Sequence, residues 1–302
     1  MIVDTSDGWI KTRTGIEERR IITGDETTSA LSARASRIAL ERAGLSPADL
    51  DLIIVTTVTP DQILPSTACL LQDKLGAVNA SAFDLVAGCT GFLYGLDVGV
   101  CYINSGAARH ILLVGVDTLS TIVDWQDRNT CVLFGDGAGA VVLSEAEEGR
   151  GVYASKMFSD GSKANLLYVP AGGSTRPATV QSVNERAHYI KMNGPEVFKF
   201  AVTVLVDSLL EVLTSCGKTA ADLDILVPHQ ANLRIINFAC KRLKMKPEQV
   251  LVNIHHYGNM SSAAIPVALD EAVEEGRVKA GQLIGMVSFG AGLTWGAAVI
   301  RW

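Results

Sequence analysis

Short apolar, β-branched runs alternate along the chain with longer stretches of helical spacing. Residues 52–57, 110–116, 224–227 and 283–289 are strand-sized, whereas 30–43, 89–104, 197–215, 233–243 and 262–275 repeat their apolar positions with the period of helices. Strands that are apolar on both faces and separated by helices predict a mostly parallel sheet covered on each side by helices. Stretches 89–104 and 262–275 are apolar almost all round near their starts, which predicts that they lie buried between sheets.

The pattern occurs twice. DLDLIIV at 49–55 returns as DLDILV at 222–227, and FGDGAGAVVL at 134–143 returns as FGAGLTWGAAVI at 289–300, in the same order. A unit of half the chain is too long for a solenoid repeat of about 20–50 residues and predicts a duplicated domain. The charged, turn-prone segment 145–151 divides it into halves 1–148 and 149–302. The polar excursion 161–183 is expected to be a surface loop over a site, or simply an insertion. The second half opens with a strand-like run, 151–158, that has no counterpart at the start of the first.

Composition removes several classes of function. With 302 residues and 48% apolar content the chain can bury a large core. Its 26 Lys and Arg against 32 Asp and Glu, a net −6, give no general attraction to nucleic acid or an anionic membrane. No apolar run approaches the roughly 20 residues that span a bilayer. No secretory pattern follows Met1 and the six cysteines form no CxxC pair, so reduced thiols in the cytoplasm are expected.

Superposing the repeats sets Cys89 against Asn259. Each follows a glycine at the end of a strand-like run and is expected to open a helix, so a pseudo-twofold packing would bring both to the middle of the molecule. His229, in PHQANLR, follows strand 224–227 at the carboxyl edge where α/β proteins place their sites. A helix N-terminus favours a thiolate, yet its contribution of about 0.3–1 kcal/mol is less than the 1.36 kcal/mol of one pKa unit, so further donors or His229 must help. Cys69, Cys101, Cys131, Cys216 and Cys240 are expected to be small buried hydrophobes. His255 and His256 have no second pair at ligand spacing, so no metal is expected. The glycine strings 135–139 and 290–296 lack the GxGxxG order of a dinucleotide loop and read instead as tight turns whose N–H groups suit an oxyanion hole.

GCTGFLYGL around Cys89, VPHQANLRI around His229, HYGNMSSAAIP around Asn259 and FGAGLTWG near the end together resemble β-ketoacyl-acyl-carrier-protein synthase III, a family of the thiolase superfamily. The resemblance runs over essentially the whole chain. It implies an α/β thiolase fold, two duplicated five-stranded halves in a five-layer αβαβα arrangement, and a homodimer. It implies decarboxylative Claisen condensation of an acyl-CoA primer with malonyl-acyl-carrier protein, giving the 3-oxoacyl-carrier protein that initiates fatty-acid synthesis, with no cofactor beyond the coenzyme A thioester substrates. An enzyme of secondary metabolism with another acceptor is the alternative.

By the same resemblance Cys89 is the nucleophile, His229 and Asn259 stabilise the enolate, and the backbone N–H groups of Cys89 and Ala291 form the oxyanion hole. Ala291 stands where family members generally have Gly. Trp9, Arg13 and Arg128 are assigned to coenzyme A, and Leu64 and Phe198 to the acyl pocket. Leu64 is expected to cross a dimer interface, and its small size relative to the family's common Phe predicts longer or branched primers. Lys199, Arg234, Lys241 and Arg242 are assigned to carrier-protein docking, with Lys244 and Lys246 extending the basic run. The family's additional first strand, expected at the centre of the first sheet, has no counterpart at the start of this sequence.

Overall fold

A computed structural model describes residues 3–302. The helices begin where polar caps predict: Ser6, Thr27, Ser66, Asn193 and Asn232 each accept a hydrogen bond from a first-turn backbone N–H. In chain order the first half comprises α1 (Asp7–Thr14), α2 (Thr28–Ala43), β1 (Leu52–Thr56), α3 (Thr67–Leu75), β2 (Ser81–Leu85), α4 (Gly91–Asn104), β3 (His110–Thr118), α5 (Arg128–Cys131) and β4 (Asp136–Ser144). There follow β5 (Gly151–Ser159), β6 (Leu167–Tyr168), α6 (Val180–Asn184), β7 (Lys191–Met192), α7 (Gly194–Ser215), β8 (Ile225–Pro228), α8 (Leu233–Leu243), α9 (Ile254–Tyr257), α10 (Ala264–Glu274), β9 (Leu283–Gly290) and β10 (Thr294–Arg301).

Two four-stranded sheets result, ordered β2-β1-β3-β4 and β5-β10-β9-β8. The expectation of mostly parallel sheets is corrected. β1 runs parallel to β2 and β3, and β8 parallel to β9, but β3–β4, β9–β10 and β10–β5 are antiparallel. The turn joining β9 to β10 is far too short for the crossover that a parallel pair requires. Among the described residues the expected five strands per half are also corrected to four. In the second sheet the fifth is reduced to a single parallel bridge between Leu226 and Val250.

Alternate side chains of each strand enter different cores. Leu52 and Ile54 of β1 and Ile111 and Leu113 of β3 face a central cluster, whereas Ile53, Val55, Leu112 and Val114 face an outer one with Ala33 and Leu40 of α2 and Leu71 of α3. In the second sheet Val227, Ile284 and Met286 face the same central cluster, and Leu226, Leu283 and Val287 face a third core with α7 and α8. Phe92, Leu93 and Leu96 of α4 and Ile265, Ala268 and Leu269 of α10 fill the middle. The layers are helix, sheet, helix, sheet, helix, with the two expected helices at the centre.

The position expected for the family's extra strand is also corrected. β5 occupies an edge of its sheet, antiparallel to β10, so the symmetric place in the first sheet lies outside β4 and not at the sheet's centre. There Ile38 and Ala39 of α2, Val141 of β4 and Val267 of α10 line a groove, and Arg42 reaches across it to Asp270 and Glu274. No helix among the described residues is long and apolar enough to cross a membrane.

Candidate active site

Cys89 lies between β2 and α4, in a tight 3-10 turn spanning Gly88–Thr90, so the α-helix begins two residues later than its sequence suggests. The second half holds this turn. Ser288 Oγ donates to the Cys89 carbonyl at 2.8 Å and Thr294 Oγ1 to the Ala87 carbonyl at 2.9 Å. The segment around Ala291 packs directly on the turn: a methyl group on Gly290 would stand 2.5 Å from the Cys89 nitrogen, and one on Gly88, at φ +56°, would stand 2.9 Å from the Ala291 nitrogen. Only glycine admits that approach, and it brings the two expected oxyanion-hole amides to one place. Burial pushes the Cys89 thiol up to about 12, against an opposing contribution from the Ser261 hydroxyl beside it. Desolvation is the largest influence on this group, which therefore rests as a thiol.

Asn259 forms an isolated parallel bridge with Phe134. Its N–H donates to Leu133 O at 2.9 Å, and its own carbonyl accepts from Gly135 N at 3.0 Å. It precedes a 3-10 turn, Ser261–Ala263, and α10. Its Oδ1 accepts from Ser261 N at 2.9 Å, which leaves Nδ2 as the free donor. His229 follows β8, its N–H held by Val287 O at 2.8 Å. Next to it buried Gln230 donates to Pro228 O and Leu251 O and accepts from Asn253 N and Ile254 N, which locks the turn. His229 is 1% exposed, its ring edge-on to Phe289 at 5.5 Å, and neither ring nitrogen has a partner among the described residues. Burial pushes His229 down to about 3, so it is a neutral imidazole with one N–H to offer.

Cys89, His229 and Asn259 line one cavity of about 300 Å³, together with Trp9, Arg13, Phe198 and Arg234. Cys89 also lines a second, apolar cavity of about 180 Å³ walled by Val58, Leu119, Ile122, Leu167 and Ile190. The thiol thus stands where an exposed entrance meets an apolar chamber. Leu167, Tyr168 and Val169 of the chamber come from the long excursion, which reaches a cavity but carries β6 and the start of α6 and is not a plain loop.

The remaining expected residues fall in several places. Arg128 and Arg13 stand 5.0 and 5.6 Å from the Trp9 ring centroid, and Arg128 also donates to Asp4 O at 2.9 Å. Phe198 lines the entrance cavity with His229 and not the apolar chamber, so the structure moves it from pocket wall to mouth. Leu64 is 82% exposed and lines neither cavity within its own chain. Lys199, Arg234, Lys241 and Arg242 are exposed; Arg234 Nη2 donates to Thr12 O, and Arg242 pairs with Asp207 at 3.7 Å. Of the five other cysteines only Cys131 is buried, which corrects the expectation for Cys69, Cys101, Cys216 and Cys240. Sequence reasoning missed Ser261 and Asp117. Asp117 had a signal, since a carboxylate ends the apolar run ILLVGV of β3.

Residues 83–161 match the family described as 3-oxoacyl-[acyl-carrier-protein (ACP)] synthase III, and residues 213–302 match the description of that synthase's C-terminal part. A β-ketoacyl-[acyl-carrier-protein] synthase III of Natranaerobius thermophilus is 56% identical over 100% of this chain and 92% of its own, and one of Caldanaerobacter subterraneus is 53% identical over 100% and 91%. The crystal structure of 3-oxoacyl-[acyl-carrier-protein] synthase III from Aquifex aeolicus superposes with a TM-score of 0.93 at 47% identity, covering 100% of this chain and 92% of that one.

Proposed function

The chain belongs to the 3-oxoacyl-[acyl-carrier-protein] synthase III family, and from that premise we propose how its own residues carry out the initiating condensation of fatty-acid synthesis. The enzyme is an acyltransferase that joins an acyl-CoA primer to malonyl-acyl-carrier protein. The observation that carries the residue assignment is the convergence of Cys89, His229 and Asn259 on one cavity, with an apolar chamber opening from the same thiol.

Cys89 attacks the primer's thioester carbonyl while its N–H and that of Ala291 hold the oxyanion. Collapse expels coenzyme A, which departs as a thiol carrying the proton that Cys89 gave up. The acyl chain lies in the chamber beside Leu119, Ile122 and Ile190. About 180 Å³ is roughly a dozen times the space one water needs, which accommodates primers beyond acetyl. Malonyl-carrier protein then loses carbon dioxide, and the electron pair passes into an enolate whose oxygen accepts from His229 Nε2 and Asn259 Nδ2. A neutral imidazole suits this role, since it donates one hydrogen bond without protonating the enolate. The enolate carbon attacks the acyl-cysteine, 3-oxoacyl-carrier protein leaves, and the released Cys89 thiolate takes one proton from solvent.

Trp9, Arg13 and Arg128 receive the coenzyme A nucleotide by stacking and charge. Lys199, Arg234, Lys241 and Arg242 receive the acidic carrier. The protein works as a homodimer through the open edge of β2. Val78 and Val86 flank that strand, Ile63 and Leu64 precede α3 beside it, and all four are more than 70% exposed. In that dimer Leu64 closes the neighbouring acyl chamber. We divide the labour between residues 1–148, with the nucleophile, and 149–302, with the two enolate donors, and place the enzyme in the cytoplasm, where six free cysteines stay reduced.

Intact-mass and peptide analysis after mixing with a series of acyl-CoAs tests the assignment. One acyl group on Cys89 is expected. Label on another cysteine, or none with any primer, overturns it.

A further inference from the structure

Asp117 ends β3 wholly buried, outside both cavities, and the chemistry above makes no use of it. Its two carboxylate oxygens face different halves of the molecule. Oδ1 accepts from Thr57 Oγ1 at 3.0 Å, Val58 N at 2.7 Å and Thr59 Oγ1 at 3.2 Å, all at the end of β1. Oδ2 accepts from Ser262 N at 3.2 Å and Ser262 Oγ at 2.9 Å, on the turn that follows Asn259. A carboxylate removed from water is costly unless its lone pairs are occupied, and these five donors occupy them.

The same turn is seated deeply in the first half. Ser262 Oγ also stands 2.7 Å from Thr56 O, so its one proton is shared between that carbonyl and Asp117, and a methyl group on Gly115 of β3 would stand 2.3 Å from Ser262 O. Between Ser262 and Asn259 lies Ser261, whose backbone takes φ +50°, a left-handed conformation that a serine keeps only when both neighbours hold it. From that conformation Ser261 N donates to Asn259 Oδ1, the contact that turns Nδ2 outward as a donor. A continuous chain of contacts therefore joins Asp117 to the orientation of the Asn259 amide: carboxylate to Ser262, Ser262 to the strained Ser261, and Ser261 N–H to Asn259 Oδ1.

We propose that Asp117 is a positioning residue for the decarboxylation half-reaction, tying the Ser261–Ser262 turn to the ends of β1 and β3 so that Asn259 Nδ2 meets the enolate oxygen. This rests on the assignment of Asn259 to the enolate. In Asp117→Asn one oxygen becomes an NH₂ group that opposes donors on one side, so the turn loses its anchor or the β1 end does. The backbone of the Cys89 turn is held separately, by Ser288 and Thr294, so acylation changes only through the Ser261 hydroxyl beside the thiol and falls far less than carbon dioxide release.

The test measures two half-reactions separately in the full-length enzyme: acyl transfer from acetyl-CoA to Cys89, and carbon dioxide release from malonyl-carrier protein. Asp117→Asn should lower kcat for carbon dioxide release about 10- to 100-fold, as misplacement of a catalytic group by about 1 Å does, with the carrier KM and the acylation rate within about threefold of wild type. Ser262→Ala, which removes the anchor from the other side and leaves the charge in place, should lower the same kcat about tenfold. The double variant should be no slower than Asp117→Asn alone, since both cut one tie. If Asp117→Asn does not fold, Ser262→Ala decides. Unchanged carbon dioxide release in the folded variants, equal loss of both half-reactions, or effects that multiply in the double variant overturn the proposal. A wild-type protein that acylates but releases no carbon dioxide overturns the enolate assignment itself, and with it this one.

Discussion

The Cys89 turn and the Asn259 turn occupy equivalent places in the two halves, and each is fastened by the half it does not belong to. Hydroxyls of the second half, Ser288 and Thr294, hold the first turn through backbone carbonyls, and Gly290 is pressed against the Cys89 nitrogen with no room for a methyl group. The second turn hangs on a buried carboxylate of the first half, with the Thr56 carbonyl beside it. Neutral hydrogen bonds contribute about 0.5–1.5 kcal/mol each, and those to a charged group about 1.5–3 kcal/mol. Both turns are pressed against a glycine of the other half, Gly290 for one and Gly115 for the other; what separates them is that the turn of Cys89, the proposed nucleophile, has only neutral ties, whereas that of Asn259, the proposed enolate donor, also hangs on a buried charge.

The sharpest way to break that comparison is Gly290→Ala. The added methyl meets the Cys89 amide, so acyl-enzyme formation should fall at least 10²- to 10³-fold, the usual cost of one oxyanion donor, with an overpacking penalty of about 1–3 kcal/mol on stability. Stopped-flow acylation and thermal unfolding measure both, and a loss under tenfold would show that fit does not set the nucleophile.

Next in size, His229→Ala and Asn259→Ala should still accept an acyl group from acyl-CoA but release carbon dioxide about 10²- to 10³-fold more slowly. Normal carbon dioxide release in both would remove the distinction between the two turns.

A smaller effect concerns His229 alone. Its folded pKa of about 3 lies below the unfolded 6.5, so the unfolded chain takes up a proton that the native protein refuses. Stability from this group is therefore complete above about pH 6.5 and declines as pH falls toward 3. Between pH 7 and 5 the wild type should lose about 2 kcal/mol more than His229→Gln in urea unfolding. Parallel losses would mean that the imidazole is solvated.

The smallest is Ser288→Ala, which removes one neutral tie to the Cys89 carbonyl. About 1 kcal/mol of stability should go, with acylation slowed severalfold and carbon dioxide release unchanged.

How much of this was legible in the sequence follows the same division. Strand alternation such as Leu52-Ile53-Ile54-Val55 is a local property, and the echoes between the halves disclosed the duplication, so the layers and the two central helices could be read. Strand direction was partly misread, although the short connection from Phe289 to Thr294 already required an antiparallel pair. The motifs around Cys89, His229 and Asn259 singled out the residues now found on one cavity. What surrounds them was hidden, because it is made by contacts far apart in the chain. Asp117 meets Ser262 across 145 positions, and the apolar chamber draws one to three residues from each of several separate segments. The thiol's elevated pKa was hidden for the same reason: a helix terminus is visible in a sequence, and the depth at which it is buried is not.

The central helix layer has a thermodynamic consequence for any attempt to divide this protein. Phe92 and Leu96 of α4 share one cluster with Val227, Met286 and Ala298 of the other half, as Ile265 and Leu269 of α10 share it with Ile54 and Leu113. A cut in the loop between β4 and β5 leaves each fragment with one sheet face and one helix side uncovered, an apolar expanse that water opposes at about 25 cal/mol per Å². The intact chain should therefore melt as one cooperative unit, and its two fragments should recover a native fold by binding one another.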